Sequence, residues 1–303
     1  MVLGTHSADV RPATAADGLD WLSLELTGRC NLTCIHCYAS SGPSGTHGSM
    51  TADDWRSVIG QAEAMGIPMV QFIGGEPTMH PDFPGLLRHA TDAGLAAEIY
   101  TNLTHVRESW WEMFACPNVS VATSYYSDVP AEHDRITNRR GSHARTLANI
   151  AEALRRGVVL RAGIIGVDDG QRVDQARAEL EAVGVTNISI DYVRQVGRGA
   201  RIREPGISQL CGHCGLGTAA ISPDGDVWPC VVSRWMNAGN VLDTPLAEIL
   251  AGPAMSDAMS MITGSRRGEH DIGMNSPGPT NCAPDGGACA PAKDGRCGPG
   301  TRA

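Results

Sequence analysis

Three cysteines in the first part of the chain are spaced so that their thiols could bind a metal centre. Cys30, Cys34 and Cys37 follow a short apolar run at the spacing C-x3-C-x2-C. Thiolates are soft ligands that bind iron–sulfur clusters and zinc. Three ligands from one loop leave a coordination position open, and a metal site with an open position is usually catalytic. The spacing predicts such a site, with a zinc knuckle completed by His36 or a distant cysteine as the alternative.

A second group of cysteines lies in the last third of the chain and also predicts metal binding. Its members are Cys211, Cys214, Cys230, Cys282, Cys289 and Cys297. Six thiolates cannot give two iron–sulfur clusters four ligands each. We therefore expect one fully ligated cluster, or two clusters with an open site or a different ligand, for which His213 and Asp285 are candidates. A zinc site is the alternative.

A glycine-rich turn after the second predicted strand is a candidate ligand contact. It reads Gly74-Gly75-Glu76-Pro77. Glycine lets a ligand approach the backbone closely and adopts unusual dihedral angles. A carboxylate or a backbone carbonyl at this place can accept hydrogen bonds from an ammonium group. An ordinary tight turn is the alternative, but the end of the strand next to the cysteine loop favours ligand binding.

The elements that position these residues are predicted from apolar segments that alternate with amphipathic ones. Six strands are predicted, at residues 22–26, 68–73, 96–101, 119–124, 158–167 and 187–193. Helices are predicted at 51–65, 81–93, 107–115, 142–156 and 171–183, and a capping box at Thr51 and Asp54 opens the first. This alternation is typical of parallel α/β folds, whose active sites lie at the carboxyl ends of the strands. Six units favour a partial (β/α)6 TIM-type barrel over a closed eight-fold one.

The chain changes character after about residue 205, which predicts a small cysteine-rich C-terminal domain. We expect a leader segment at 1–20, a core at 21–205 and an auxiliary domain at 206–303. In the last, segments 219–221 and 226–228 are predicted to form a hairpin, and 246–250 a short helix. Residues 264–303 have few apolar side chains, so bound metal is expected to order them. Two polar stretches, 40–49 and 128–141, are predicted to be loops, the first a solvent-exposed connection.

Charge and hydropathy narrow the function classes. The 303 residues carry a formal net charge of −9, which argues against nucleic acid as the main partner because phosphate binding needs a basic surface. The N-terminus lacks the cationic start and apolar core of a signal peptide, and no apolar run is long enough to span a membrane. We therefore expect a cytoplasmic protein, in which clustered cysteines bind metal rather than form disulfides.

The cysteine motif with Tyr38 after it, CNLTCIHCY, and the Gly-Gly-Glu-Pro turn together resemble the radical S-adenosylmethionine (SAM) superfamily. The resemblance implies that Cys30, Cys34 and Cys37 hold a [4Fe-4S] cluster whose fourth iron is open to SAM. It implies reductive cleavage of SAM to a 5'-deoxyadenosyl radical, which abstracts a hydrogen atom from a substrate. It also implies the partial (β/α)6 barrel over about residues 20–200.

The same resemblance suggests which side chains contact SAM. The Gly-Gly-Glu-Pro turn would meet the amino group, and the glycines of segment 195–199 would approach the adenosine. Polar contacts with SAM, including its ribose or carboxylate, would come from Asn102, Ser124 and Arg161. Capping of strand ends is the alternative role for Asn102 and Ser124.

The second cysteine group resembles the start of a SPASM or Twitch auxiliary domain. Cys214, Gly225 and Cys230 fit C-x10-G-x4-C around the hairpin sequence ISPDGDVWPC. The later spacing, C-x6-C-x7-C, departs from the full SPASM pattern, which leaves one or two auxiliary iron–sulfur clusters open.

These domains occur together in enzymes that modify peptides, so the resemblance implies a ribosomally made peptide as substrate. A cross-link, a thioether, an epimerisation or an oxidation would be the outcome, with flavodoxin or ferredoxin as reductant. Few residues precede the first strand, so we expect a separate protein to recognise a leader peptide. The alternatives are a sulfatase-maturating type of protein maturase, a small-molecule biosynthetic enzyme, and a non-catalytic Fe–S sensor or electron carrier. No general acid, base or hydrogen donor is assigned.

Overall fold

The computed structural model describes residues 18–200, 204–212 and 214–269, with side chains described as far as residue 264. Its strands form one nine-stranded sheet in the order β6-β5-β4-β3-β2-β1-β7-β8-β9. The strands are β1 Trp21–Glu25, β2 Met69–Ile73, β3 Ala96–Tyr100, β4 Val119–Tyr125, β5 Val159–Gly166, β6 Asn187–Tyr192, β7 Thr218–Ile221, β8 Asp226–Trp228 and β9 Gly239–Asn240.

Helices follow most of the strands, as the alternation predicts. They are α1 Ala52–Ala64, α2 Phe83–Asp92, α3 Trp111–Phe114, α4 Pro130–Thr137, α5 Ser142–Arg155, α6 Val173–Val183, α7 Leu246–Ala251 and α8 Pro253–Glu269. The predicted capping box opens α1: the Asp54 amide donates to Thr51 Oγ1 at 3.3 Å, and the Thr51 amide donates to the Asp54 carboxylate at 2.8 Å. Among the described residues, no helix is long and apolar enough to cross a membrane.

Strands β1 to β6 are parallel and lie side by side in chain order. Among the described strands β6 pairs with β5 alone, so the curved sheet does not close on itself. The predicted α/β fold with a partial (β/α)6 barrel and a C-terminal auxiliary domain is confirmed.

The two faces of the parallel sheet differ in chemistry, because successive side chains of a strand point to opposite faces. The outer face is apolar and packs under the helices, with Leu22, Leu24, Val70, Phe72 and Ile99 completely buried. The inner face carries polar side chains at the intervening positions, among them Ser23, Gln71 and Glu98. Each fully buried aliphatic side chain contributes about 1.5–3 kcal/mol to the stability of the barrel.

Two helices occur where the sequence predicts none. Helix α4 lies inside the stretch 128–141, which was predicted to be a loop; that prediction is wrong. The buried face of α4 consists of His133, Ile136 and Thr137, so it lacks the aliphatic stripe by which helices are recognised. Helix α8 buries Met255, together with Ala258 and Ile262, a stripe too sparse to stand out from its polar neighbours.

The auxiliary segment extends the barrel sheet instead of forming a separate one. Strand β7 pairs in parallel with β1, Trp21 opposite Thr218, and β8 and β9 continue antiparallel beyond it. Arg234 of this segment forms an ion pair with the buried carboxylate of Glu25, at 2.5 Å. The predicted boundary near residue 205 therefore separates the cysteine groups but not two sheets.

The segment 40–49 is more than an exposed connection. The Cys30 amide donates to the Gly42 carbonyl at 2.9 Å, and the Met50 amide donates to the Pro223 carbonyl at 3.1 Å. A Cβ atom on Gly48 would lie 2.1 Å from the Pro223 carbonyl oxygen. The segment thus packs between the cysteine loop and the auxiliary hairpin.

Candidate metal centre and active site

A cavity of about 370 Å³ lies on the inner face of the sheet. Described cysteines of both groups reach it, although the two groups are far apart in the chain. Its lining includes Cys30, Cys34, Cys37, Cys211, Cys214 and Cys230. Of the other predicted site residues, the lining includes Gly74, Gly75, Asn102, Ser124 and Arg161. Glu76 and Pro77 are not among the residues that line it, and Cys282, Cys289, Cys297, His213 and Asp285 lie outside the described residues.

The thiols of the cysteine loop are held away from water. Burial raises the pKa of Cys30 to about 12, helped by the charge of Glu76. Burial likewise raises the pKa of Cys34 to about 12, helped by Cys37. Metal binding must displace the protons of such thiols. No three His, Cys, Asp or Glu side chains among the described residues converge on a single ion, and a polynuclear cluster does not need this because each cysteine binds a different iron.

Several polar atoms beside the cysteines have no partner in the described structure. They are His36 Nδ1, Tyr38 Oη and Ser41 Oγ, all buried, on residues that line the cavity. Buried polar atoms nearly always form hydrogen bonds, so these three fit a site that receives a polar ligand. Burial lowers the pKa of His36 to about 4, so its ring is neutral near pH 7.

The glycine turn is packed tightly onto the cysteine loop. A Cβ atom on Gly74 would lie 2.6 Å from the Thr27 carbonyl oxygen, and one on Gly75 would lie 2.3 Å from the Arg29 carbonyl oxygen. The amide of Glu76 donates to that same Arg29 carbonyl at 2.8 Å. Only glycine fits at either position, because any side chain would collide with backbone.

The Glu76 carboxylate is buried and accepts several hydrogen bonds. It accepts hydrogen bonds from Thr78 Oγ1 at 2.6 Å, Thr101 Oγ1 at 2.7 Å and the Asn102 amide at 2.9 Å, and a fourth from the Thr78 amide at 3.3 Å. Burial raises the pKa of Glu76, while these donors oppose the shift. Three of these bonds reach Oε1 and one reaches Oε2, so the second oxygen keeps an acceptor position. Through Thr101 and Asn102 the carboxylate secures the end of β3, and its contact with SAM stays a prediction.

Asn102 connects the end of β3 to the cysteine loop. Its Nδ2 donates to Asn31 Oδ1 at 2.7 Å and lies 3.8 Å from Cys30 Sγ. Asn31 in turn donates to Thr104 Oγ1 at 2.7 Å. Sequence reasoning missed Asn31 and Thr104, whose only signal was their polar type near a predicted site residue. Ser124 Oγ lies 3.2 Å from the hydroxyl of Tyr100.

Arg161 belongs to a row of polar side chains on the floor of the cavity. Its guanidinium donates twice to Glu98, at 2.6 and 2.8 Å. Gln71 donates to Glu98 at 2.6 Å and accepts from Ser23 Oγ at 3.0 Å. The row crosses β1, β2, β3 and β5. Its sequence signal was a polar residue at alternate positions of otherwise apolar strands, which sequence reasoning did not use.

The loop after β6 also supports the cysteine loop. A Cβ atom on Gly197 would lie 2.2 Å from the Tyr38 carbonyl oxygen. The Arg198 amide donates to the Cys37 carbonyl at 2.9 Å, and its Nε donates to the Cys34 carbonyl at 2.8 Å. Gly197 therefore permits close approach to the cysteine loop, and the approach of segment 195–199 to the adenosine stays a prediction.

The auxiliary thiols are grouped beside the base of the β7–β8 hairpin. Cys214 Sγ and Cys230 Sγ are 3.0 Å apart. The Gly215 amide donates to the Pro229 carbonyl at 3.0 Å, which holds the two ends of the hairpin together. The neighbouring thiols of Cys211 and Cys230, followed by burial, raise the pKa of Cys214. The described part of this group thus brings three thiols to the cavity that the cysteine loop also lines.

Comparison with known families agrees with this geometry. Residues 24–177, half of the chain, match the family model of the Radical SAM superfamily. The chain belongs to the radical SAM superfamily. Residues 211–282 match a second family model, SPASM, described as an iron–sulfur cluster-binding domain. The cofactors are therefore a [4Fe-4S] cluster and SAM, with auxiliary iron–sulfur clusters in the C-terminal domain.

Curated relatives include enzymes with different substrates. An "AdoMet-dependent heme synthase" of Methanosarcina barkeri is 35% identical over 136 residues, 45% of this chain and 39% of the relative. A "PqqA peptide cyclase" of Xanthomonas campestris is 30% identical over 182 residues, 59% of this chain and 48% of the relative. A "PqqA peptide cyclase" of Xanthomonas axonopodis is 28% identical over 271 residues, which are 75% of this chain and 72% of the relative. The chain thus spans less than half the length of the first two relatives.

Solved structures share the fold at low sequence identity. Streptococcus suis SuiB bound to S-adenosylmethionine has a TM-score of 0.67 at 15% identity, covering 81% of this chain and 68% of that one. SuiB bound to precursor peptide SuiA also has a TM-score of 0.67 at 15% identity, covering 82% and 67%. The structure of anSMEcpe with bound AdoMet has a TM-score of 0.60 at 16% identity, covering 80% of each chain.

Proposed function

We propose that this radical SAM protein cleaves SAM reductively and uses the 5'-deoxyadenosyl radical to abstract a hydrogen atom from a peptide. The observation that carries the proposal is the shared cavity. Cys30, Cys34 and Cys37 line one part of it and Cys211, Cys214 and Cys230 another. A substrate bound between them would be next to the site of radical formation and next to an electron acceptor.

The cluster and SAM supply the electron transfer and the radical when bound, and the protein supplies binding and orientation. In this proposal, Cys30, Cys34 and Cys37 hold the cluster. The backbone carbonyls of Gly74 and Gly75 receive the ammonium group of SAM, because both residues line the cavity and Glu76 does not.

Three polar side chains complete the proposed SAM site. Asn102 and Ser124 contact the ribose or the carboxylate. Arg161 presents a fixed positive charge, since Glu98 holds its guanidinium through two hydrogen bonds. The unpartnered hydroxyl of Tyr38 and Nδ1 of His36 are available to bound groups on the cysteine side.

The size of the cavity favours a substrate that inserts a single side chain. Small-molecule sites usually have about 300–1,000 Å³, and this cavity of about 370 Å³ must receive SAM as well. Beside it the open edge of the sheet ends in β6, whose Ser189, Asp191 and Tyr192 line the cavity, so a peptide can lie across the opening. The names of the PqqA peptide cyclases and of the SuiB–SuiA complex support a peptide. We propose a cross-link, thioether, epimerisation or oxidation as the outcome, with a separate leader-recognition protein.

A tetrapyrrole is the second candidate substrate. The observation that favours it is the 35% identity to the archaeal heme synthase. This candidate requires the whole macrocycle to enter the cavity, whereas a peptide inserts one residue. Incubation with each substrate class and mass spectrometry of the products separates the two.

The experiment that tests the proposed chemistry is anaerobic. The protein is reconstituted with iron and sulfide, mixed with SAM and dithionite, and assayed for 5'-deoxyadenosine by mass spectrometry. We expect 5'-deoxyadenosine from the wild type and from Ser44→Ala, an exposed change in the neighbouring segment, and none from Cys34→Ala. If fully clustered wild-type protein forms none with or without candidate peptides, the proposal is wrong.

The domain limits at 1–20, 21–205 and 206–303 also remain a proposal. Because β7 pairs with β1, we expect limited proteolysis to cut near residue 205 without releasing two stable fragments. Two fragments that separate under native conditions would contradict the continuous sheet.

A further inference from the structure

A second cavity, of about 310 Å³, lies on the opposite side of the cysteine loop. Arg29 and Asn31 line it, whereas Cys30 between them lines the first cavity. The glycine turn divides in the same way, because Gly75 faces the first cavity and Glu76 the second. The start of the cysteine loop, Arg29 to Asn31, therefore separates the two cavities.

The outer cavity is cationic, although the chain as a whole has a net charge of −9. Arg29, His105 and Arg107 line it and are exposed. Neither arginine forms an ion pair with any described carboxylate, and Arg107 stacks over the ring of Trp110 at 4.9 Å. The acidic residue in the lining is Glu76, whose carboxylate is buried and hydrogen-bonded.

A third arginine extends the positive charge along the same loop. Arg139 Nη1 donates to the Asn31 carbonyl at 2.9 Å, and the Arg139 residue is exposed. We call Arg29, Arg107 and Arg139 together the cationic face. Asn31, which directly follows Cys30 in the chain, lines the outer cavity with Arg29 and Arg107 and accepts the hydrogen bond from Arg139.

We propose that the cationic face docks an acidic one-electron donor protein of the flavodoxin or ferredoxin class, which reduces the cluster held by the cysteine loop. This inference rests on the proposed function. In the step, the donor is oxidised by one electron and the cluster is reduced by one electron. No bond forms or breaks and no proton is transferred.

The separation of the two cavities places the electron donor on the cationic face. SAM and substrate occupy the inner cavity in the proposed function, so an electron must arrive from outside. The outer face reaches Cys30 through its covalent neighbours, Arg29 and Asn31. Redox encounters bury small interfaces, and charge complementarity mainly sets their rate of association.

The test measures cluster reduction directly by stopped-flow absorbance under anaerobic conditions. The probe is a flavodoxin hydroquinone, and dithionite serves as a small reductant that needs no docking face. The test variant is Arg29→Glu/Arg107→Glu. The matched control is Arg155→Glu/Arg177→Glu, the same charge change at exposed arginines of α5 and α6.

We expect the second-order rate constant with flavodoxin to fall at least about tenfold in the test variant at low ionic strength, and little in the control. The difference should shrink as salt rises, because exposed charges are screened. Dithionite should reduce all three proteins alike.

Equal rates for test and control variants with flavodoxin would overturn the proposal. So would a deficit that persists at high salt, slow reduction of the test variant by dithionite, or no reduction of any form by flavodoxin. Failure of the proposed function gives a different result, in which dithionite reduces the cluster but SAM is never cleaved.

Discussion

The described cysteines of the two groups reach the same cavity by different means. The first group is contained in a single short loop, and the glycine turn, Asn102 and Arg198 all hydrogen-bond to that loop. The described members of the second group come from both sides of the β7–β8 hairpin, with Cys211 and Cys214 before it and Cys230 after it. The first site therefore depends on a local motif with tightly packed support, and the second depends on long-range assembly. This difference predicts that damage near the first group stops all chemistry, while damage to the second stops only product formation.

The largest effect is expected from Gly75→Ala. The new Cβ atom would lie 2.3 Å from the Arg29 carbonyl oxygen, so the turn or the cysteine loop must move. We expect loss of most cluster iron and of SAM cleavage, measured by iron analysis and by 5'-deoxyadenosine. Gly85→Ala in α2 is the matched control, because its Cβ would meet open space and alanine stabilises a helix by about 0.5–1 kcal/mol. Normal iron content in Gly75→Ala would contradict the conclusion that the first cysteine group depends on tightly packed support.

The next effect separates the two groups. Cys230→Ala removes a thiol of the second group without touching the cysteine loop. We expect SAM cleavage to persist in the variant while modification of a substrate peptide falls to background. Both quantities can be measured in one mass-spectrometric assay. Loss of 5'-deoxyadenosine as well would show that the groups do not act independently.

A moderate effect is expected from Glu76→Gln. The carboxylate accepts hydrogen bonds at both oxygens, whereas the amide presents a donor in place of one acceptor. A buried donor left facing another donor costs about 1–3 kcal/mol in the free energy of unfolding. Urea denaturation measures this, with the exposed Glu112→Gln as the control expected within about 0.5 kcal/mol of wild type. If Glu76→Gln leaves the free energy of unfolding unchanged, the carboxylate does not secure the end of β3.

The last effect concerns pH and the support of the first group, and it appears only as the pH falls below neutrality. The Ile35 amide donates to the Ile136 carbonyl at 3.0 Å, so α4 supports the cysteine loop. Burial, followed by the charge of His143, lowers the pKa of His133 to about 4. The folded state thus favours the neutral ring, so its stabilising contribution is present above the unfolded pKa of about 6.5 and is lost as pH falls towards 4.

We therefore expect the free energy of unfolding to decrease by about 2 kcal/mol more in wild type than in His133→Gln between pH 7 and pH 5. Urea titrations at the two pH values measure the difference. The same pH dependence in both proteins would show that His133 is not the responsible group.

Much of the barrel could be predicted because its signals are local. Strand β1 was expected at 22–26 and spans Trp21–Glu25, and β3 was expected at 96–101 and spans Ala96–Tyr100. Apolar runs, a capping box and turn residues depend only on neighbours in the chain. The cysteine loop was equally visible, since covalent spacing alone brings its three thiols together.

Other features were decided by the tertiary structure alone. No local pattern predicts that β7 pairs with β1. Nor does any predict that the Glu76 carboxylate accepts hydrogen bonds from Thr78, Thr101 and Asn102. Nor does the sequence of β3 say that Glu98 holds Arg161 from two strands away. The physical reason is that the role of a buried or polar side chain depends on its contact partners. Those partners come from distant parts of the chain and are set by long-range packing. The sequence determined the cysteine loop and its chemistry, and only the folded chain brought Cys211, Cys214 and Cys230 to the same cavity.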